Sequence, residues 1–312
     1  MITFADVQAA AVRIAGSVHR TPVATSSTLD RELRASVFLK CENLQKVGAF
    51  KARGACNAVF ALDEASAARG VITHSSGNHA AALAYAARRR GVPSYVVMPR
   101  TAPKVKVEAV RGYGAEVRFC QQSERELACA EWQRETGAVM VHPFEDPMVM
   151  AGQGTAAMEL LEQVPDLDLV VVPVGGGGLC AGTAVTVAAM RPAARVLAAE
   201  PLAVDDAARS LATGVRQPRV EGGVTWGDGL LTALGEPNFA LLTTHGVRVV
   251  TVTEEAMLAA ARFLLDRQKL VVEPSGATVV AAIRTIAHEL PGKRIGCILS
   301  GGNTDFAWLR PA

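Results

Sequence analysis

From residue 71 onward the sequence alternates short apolar, β-branched runs with helical runs across loops of a few residues, and nothing else in the chain restricts its fold as strongly. Val71–Thr73, Ser94–Met98, Glu116–Cys120 and Val139–Val141 read as strands, with helices predicted over 78–90, 103–112 and 123–136. A second series predicts helix 153–164, strand Leu169–Val174, helix 179–190, strand Arg195–Ala199, helix 205–213, strand Arg248–Val252, helices 254–268 and 275–290, and strand Arg294–Leu299. Strands joined through helices pair in parallel with right-handed crossovers, so an α/β chain with open parallel sheets is expected. Upstream, residues 3–19 read as an amphipathic helix, Val37–Cys41 as a strand and 52–62 as a helix. His142-Pro-Phe-Glu-Asp-Pro is proline-rich and aperiodic, a natural boundary between the two series, and residues 214–245 carry no readable pattern.

At 312 residues the chain exceeds the usual size of a single core. Its formal charge of +2 is spread over intermixed acids and bases, which leaves no electrostatic footprint for nucleic acid or an anionic membrane. The densest basic run, Arg88 to Arg90, closes a predicted helix before Gly91, where cations complement the helix dipole. Cysteines 41, 56, 120, 129, 180 and 297 form no Cys-x-x-Cys pair, so reduced, mostly buried thiols are expected. No basic and apolar leader opens the sequence and no window is long and apolar enough for a membrane span, so a cytoplasmic protein is expected.

Leu169–Val174 is a continuously apolar strand that runs into Gly175, Gly176, Gly177 and Gly178 and then a helix. Such a loop lets main-chain N–H groups curl around an anion at a helix N-terminus, which points to a phosphate. Gly176-x-Gly178-x-x-Ala181, with Glu200 ending the next strand, also satisfies a dinucleotide fingerprint. Ser75, Ser76, Gly77, Asn78 and His79 lie between a strand and a helix and make a cup for a carboxylate. Ser76 with His79 could be a hydrolase pair, but Gly-x-Ser-x-Gly is missing. Ser300-Gly-Gly-Asn303 follows the last strand, and in open parallel sheets ligands sit beyond such strand ends. Lys51, in the small-residue turn Val47-Gly-Ala-Phe-Lys-Ala-Arg-Gly54, is either a solvated charge or a nucleophilic amine. Lysine, phosphate loop, carboxylate cup and a hydroxyl at a strand end are together what pyridoxal 5′-phosphate requires, whereas a dinucleotide leaves three of the four unexplained.

Val47–Gly54, His74–His79, Gly175–Leu179, Glu273-Pro-Ser-Gly-Ala and Ser300–Asn303 resemble, in order and along essentially the whole chain, the motifs of the serine racemase and threonine/serine dehydratase family of fold-type II pyridoxal phosphate enzymes. The resemblance implies two open parallel-sheet domains of the tryptophan synthase β type, with the active site in the cleft between them. A large cofactor domain would comprise 1–69 plus 148–312 and a small substrate-carboxylate domain 70–147, closing over the cofactor when substrate binds. It implies that Lys51 forms the Schiff base and moves the Cα proton, that Phe50 packs near the cofactor ring, and that Gly175 to Gly178 with Leu179 bind its phosphate. Asn78 would hold the ring hydroxyl, Ser300 the ring nitrogen, and Glu273 would line the cofactor site. Ser75, Gly77, Asn78 and His79 would take the substrate carboxylate, and Ser76 resembles the second acid/base of the racemases. A serine on the ring nitrogen favours β-elimination over transamination, so dehydration of L-threonine or L-serine to a 2-oxo acid and ammonia is expected, with serine or aspartate racemisation or 3-hydroxyaspartate dehydration as the alternative. Glu200, the Val204 carbonyl and Asp206 resemble a loop that binds Mg²⁺ or Ca²⁺. A homodimer is implied as well, and a chain ending at Ala312 is expected to lack a regulatory domain. Ala80 and Gly227 depart from the family's usual glycine and alanine, which bears on the side chain accepted.

Overall fold

The computed structural model of the chain describes residues 1–75, 77–102 and 104–309. The chain begins with helix α1 (Phe4–Ile14), strand β1 (Val23–Thr25), helix α2 (Ser27–Leu33), strand β2 (Ser36–Cys41) and helices α3 (Lys51–Ala61) and α4 (Glu64–Ala68). It continues through β3 (Val71–His74), α5 (Asn78–Arg90), β4 (Ser94–Pro99), α6 (Lys104–Gly112), β5 (Glu116–Cys120), α7 (Arg125–Thr136) and β6 (Val139–Met140). The remainder comprises α8 (Pro147–Gln163), β7 (Leu169–Pro173), α9 (Gly178–Met190), β8 (Arg195–Pro201), α10 (Asp206–Thr213), α11 (Glu236–Thr244), β9 (Arg248–Val252), α12 (Glu254–Gln268), α13 (Pro274–Thr285) and β10 (Arg294–Leu299).

Two sheets result, a six-stranded one in the order β1-β2-β10-β7-β8-β9 and a four-stranded one in the order β5-β4-β3-β6. All pairs are parallel except β1 with β2. That antiparallel edge departs from the parallel expectation; three residues are too few to show a period. Along β7, Val171 packs into a core with Ala277, Ile283 and Leu264 from α12 and α13. Val170 and Val172 pack on the opposite face with Leu160, Cys180 and Ala184 from α8 and α9. Burial on both faces is why this strand is apolar throughout rather than alternating.

The boundary segment differs from its sequence reading, because α8 begins at Pro147 rather than 153. Asp146 Oδ1 accepts from Met148 N (2.7 Å) and Val149 N (3.3 Å), and a proline at the first helical position has no N–H to satisfy, so Pro147 starts the helix. Conversely α1 ends at Ile14, five residues before its expected end. Helices α2, α4 and α11 had no counterpart in the pattern. All six cysteines are buried and free. Among the described residues no helix is long and apolar enough to cross a membrane.

Candidate active site

Lys51 opens α3, and the turn ahead of it is laced to the loop that follows β10. Phe50 N donates to Ser300 O (3.0 Å), Gly302 N donates to Gly48 O (2.9 Å), and Ala49 bridges Gly301. Gly48 adopts φ +70°, and a Cβ there would lie 2.5 Å from Asn303 Oδ1, so both backbone and space demand glycine. Val47 adopts φ 55°, an uncommon conformation for a β-branched residue, with its carbonyl held by Asn303 Nδ2 at 2.7 Å. Two loops about 250 residues apart thus fix where the lysine stem begins.

The Lys51 amine donates to Pro143 O at 2.7 Å and stands 5.1 Å from the centre of the Phe50 ring. No carboxylate pairs with it among the described residues, and burial lowers its pKa to about 8. A neutral amine is the nucleophile toward an aldehyde, whereas an ordinary lysine remains protonated until far higher pH. Capture of pyridoxal phosphate by cofactor-free protein should therefore quicken with rising pH and level off above about 8. Stopped-flow absorbance measures this; a rate still climbing at pH 10 would mean the amine is not buried as described.

The glycine loop closes β7 onto α9. Gly177 adopts φ +91°, and a Cβ at Gly175, Gly177 or Gly178 would fall 2.8, 2.6 or 3.0 Å from Leu230, Leu234 or Phe144 respectively, while one at Gly176 would run into the Phe144 ring. Among the described residues no protein acceptor takes the N–H groups of Gly175 to Leu179, and no side chain caps α9. Unpaired donors at a helix N-terminus fit a phosphate.

Asn78, first residue of α5, donates through Nδ2 to Glu273 Oε1 (2.8 Å) and accepts at Oδ1 from Asn303 Nδ2 (2.9 Å). Glu273 is buried, and burial, reinforced by the negative charge of Asp228, pushes its pKa up to about 8. Ser300 is buried at the end of β10. Ser75 Oγ accepts from Gly77 N (3.3 Å), and the N–H groups of Asn78 and His79 have no protein acceptor among the described residues. The His79 ring points elsewhere than its place in a carboxylate cup would suggest. It is buried, its Nε2 bonds to Val141 O (3.1 Å), and burial, then the Lys51 charge, lowers its pKa to about 3, so what His79 can offer a ligand is its main-chain N–H. Ser76 lies outside the described residues.

Gly77, Asn78, Glu273 and Asn303 line a cavity of about 610 Å³, while Lys51 and the glycine loop meet at the adjoining Pro143–Phe144 segment. Lys106 of α6 and Asp228, which form an ion pair, also line the cavity. Glu200 and Asp206 stand at the end of β8 and the start of α10. Glu200 accepts from Ala207 N (2.9 Å) and Ala208 N (2.8 Å), and Asp206 Oδ2 accepts from Leu234 N (2.8 Å). Burial raises them to about 8 and about 6. Among the described residues no cluster of three His, Cys, Asp or Glu side chains accompanies them, so a metal there would have two carboxylates, the Val204 carbonyl and water as hard oxygen donors.

Sequence reasoning missed Phe144, whose ring lies against Gly176, and Asn238, which bonds the glycine loop from α11. It also missed the partners of Arg53. That fully buried guanidinium pairs with Glu42 (2.7 and 2.8 Å) and Glu159 (2.8 Å twice), and Lys40 joins Glu159 at 2.7 Å. Asn238 falls in the stretch without a readable pattern, and nothing local signals the other two.

Comparison with known proteins places the whole chain among enzymes of one family. The family described as "Pyridoxal-phosphate dependent enzyme" matches residues 14–301. The chain is 44% identical to a serine racemase of Dictyostelium discoideum over 98% of its own length and 96% of the relative's. It is 46% identical to a beta-hydroxyaspartate dehydratase of Paracoccus denitrificans over 97% of each. The crystal structure of a T.th. threonine deaminase superposes with a TM-score of 0.93 at 45% identity, covering 98% of this chain and all of that one. The Dictyostelium racemase structure also superposes with a TM-score of 0.93, covering 97% of this chain and 99% of that one.

Proposed function

This chain belongs to the pyridoxal-phosphate dependent enzymes of the serine racemase, threonine dehydratase and hydroxyaspartate dehydratase family, and from that premise we propose that it removes water from a β-hydroxy-α-amino acid, 3-hydroxyaspartate or serine, giving a 2-oxo acid and ammonia. The observation that carries this reading is the half-buried Lys51 amine, its pKa lowered to about 8 by desolvation, with a phosphate-type loop and an uncapped helix end in the same chain. When bound, the cofactor supplies the electron sink that makes the Cα proton removable. Gly175 to Gly178 and Leu179 hold its phosphate through main-chain N–H groups, and Ser300, Asn78 and Glu273 border its ring. The start of α5, through Ser75 and the Gly77, Asn78 and His79 backbone, holds the substrate carboxylate. Lys51, neutral for a large fraction of the time near pH 8, accepts the Cα proton.

A second reading, racemisation, is favoured by the likeness to the Dictyostelium racemase; Ser76 would be the acid/base on the opposite face. Purified holoenzyme given L- and D-serine, L-threonine and the 3-hydroxyaspartate isomers separates the two, with 2-oxo acid release assayed beside chiral analysis of unreacted substrate. Dehydration should be fastest with 3-hydroxyaspartate or serine. Inversion without oxo acid would replace the lyase by the racemase, and no turnover of any would overturn both.

We also propose that Glu200, Asp206 and the Val204 carbonyl bind Mg²⁺ or Ca²⁺. Either ion should raise the unfolding midpoint of the wild type and leave Glu200→Gln unmoved; equal shifts would remove the site from this loop.

A further inference from the structure

Asn238 has no part in the function described so far, yet it touches both halves of the site. It is fully buried in the first turn of α11, and its Nδ2 donates to Gly176 O at 2.6 Å and to Phe144 O at 2.9 Å. Gly176 belongs to the glycine loop. Phe144 follows Pro143, whose carbonyl accepts from the Lys51 amine at 2.7 Å. Phe144 also presses on the loop directly, since its ring occupies the space a Cβ on Gly176 would take and its carbonyl would lie 3.0 Å from a Cβ on Gly178. Asn238 Cβ would in turn lie 2.8 Å from a Cβ on Gly177. Gly176 O has a second donor in Gly235 N (3.1 Å), but Asn238 is the one donor to Phe144 O among the described residues. The Asn238 Oδ1 has no partner among the described residues, a destabilising arrangement that a leucine of similar volume would avoid. What its N–H groups hold is what the amide offers against that cost.

We propose that Asn238 is the positioning residue that registers the phosphate-binding loop against the Pro143–Phe144 segment, so that the seating of the phosphate is set through one side chain. This rests on the reading that Gly175 to Gly178 take the cofactor phosphate. Asn238→Leu keeps volume and loses the donor; Asn238→Asp keeps shape and turns an oxygen toward two carbonyls. Both should weaken binding of pyridoxal phosphate to cofactor-free protein by about 10- to 100-fold, leave binding of pyridoxal, which lacks the phosphate, within about threefold, and move the ³¹P resonance of the bound cofactor. A purely structural role would lower the unfolding midpoint and weaken both ligands alike.

Wild-type affinity and an unmoved ³¹P signal in either variant would overturn the proposal. Gly176→Ala, run alongside, separates this from failure of the phosphate reading. If Gly176→Ala binds pyridoxal phosphate like the wild type, that reading falls and the proposal with it; if it binds poorly while both Asn238 variants bind normally, the proposal alone falls. Should the variants not fold, the wild-type protein still decides. Its Asn238 side-chain amide resonance should shift when pyridoxal phosphate is added and stay in place with pyridoxal, and the reverse result refutes the coupling.

Discussion

Lys51→Ala should lower turnover by about 10⁴-fold or more and abolish the visible absorbance that a lysine-bound cofactor gives. Both effects follow from the two tasks proposed for one amine, attachment and proton transfer, with no second amine beside it among the described residues. Its acceptor, Pro143 O, is a neutral carbonyl, so nothing in the site restores a cation's full charge, and burial leaves the pKa near 8. Lys51→Arg is the informative companion. It keeps length and charge but cannot condense with an aldehyde, so it should be as inactive as the alanine variant while still binding the cofactor through the glycine loop. Absorption spectra of both variants, followed by borohydride reduction and peptide mapping, give the answer. A yellow Lys51→Ala protein whose cofactor is reduced onto a different lysine would remove Lys51 from the chemistry.

Arg53→Met should cost about 3–5 kcal/mol of stability, because breaking a buried ion pair strands its partners. Glu42 is fully buried and would lose both of its guanidinium bonds, and Glu159 would be left with Lys40. Against the ~5–15 kcal/mol that a folded domain commands, that is a large fraction. Chemical denaturation of holoenzyme and cofactor-free protein is the measurement, with Arg53→Lys beside it. Lysine keeps the charge and loses the planar fork, so it should fall between methionine and wild type. A methionine variant within about 1 kcal/mol of wild type would show that Glu42 and Glu159 are accommodated without the guanidinium, against the stranding argument. Helix α3 has no side-chain cap at its Lys51 end. Its first turn is tied down through Arg53 two residues on, and Gly54 N bonds to Gln153 Oε1 (3.1 Å). Loss of Arg53 should therefore loosen the Lys51 end of the helix before its far end.

What could be read from residue order is what local chemistry controls. The sheets were legible because β7 must be apolar on both faces and each helix must cover a strand. The family was legible because Lys51, the four glycines and Ser300 each occupy a turn at a strand or helix end, where small residues and free N–H groups leave a local mark. The start of α8 was misplaced because a proline-rich stretch looks like a linker until Asp146 is seen to cap it. Helix α11 was invisible because its sequence has almost no amphipathic period, being buried through Asn238, Leu241 and Leu242 against the glycine loop and α9.

Residue order alone was enough for the class of fold and the cofactor, since each motif is complete within a short stretch such as Val47–Gly54 or Gly175–Leu179. How those residues are held came from the folded chain. It brings Ser300 to Phe50, Asn303 to Asn78, Arg53 to Glu159 and Asn238 to Phe144 across separations of roughly 90 to 250 residues. Such contacts leave no periodic trace, because a buried hydrogen bond depends on where two backbones pass each other and not on the residues beside either partner in the chain.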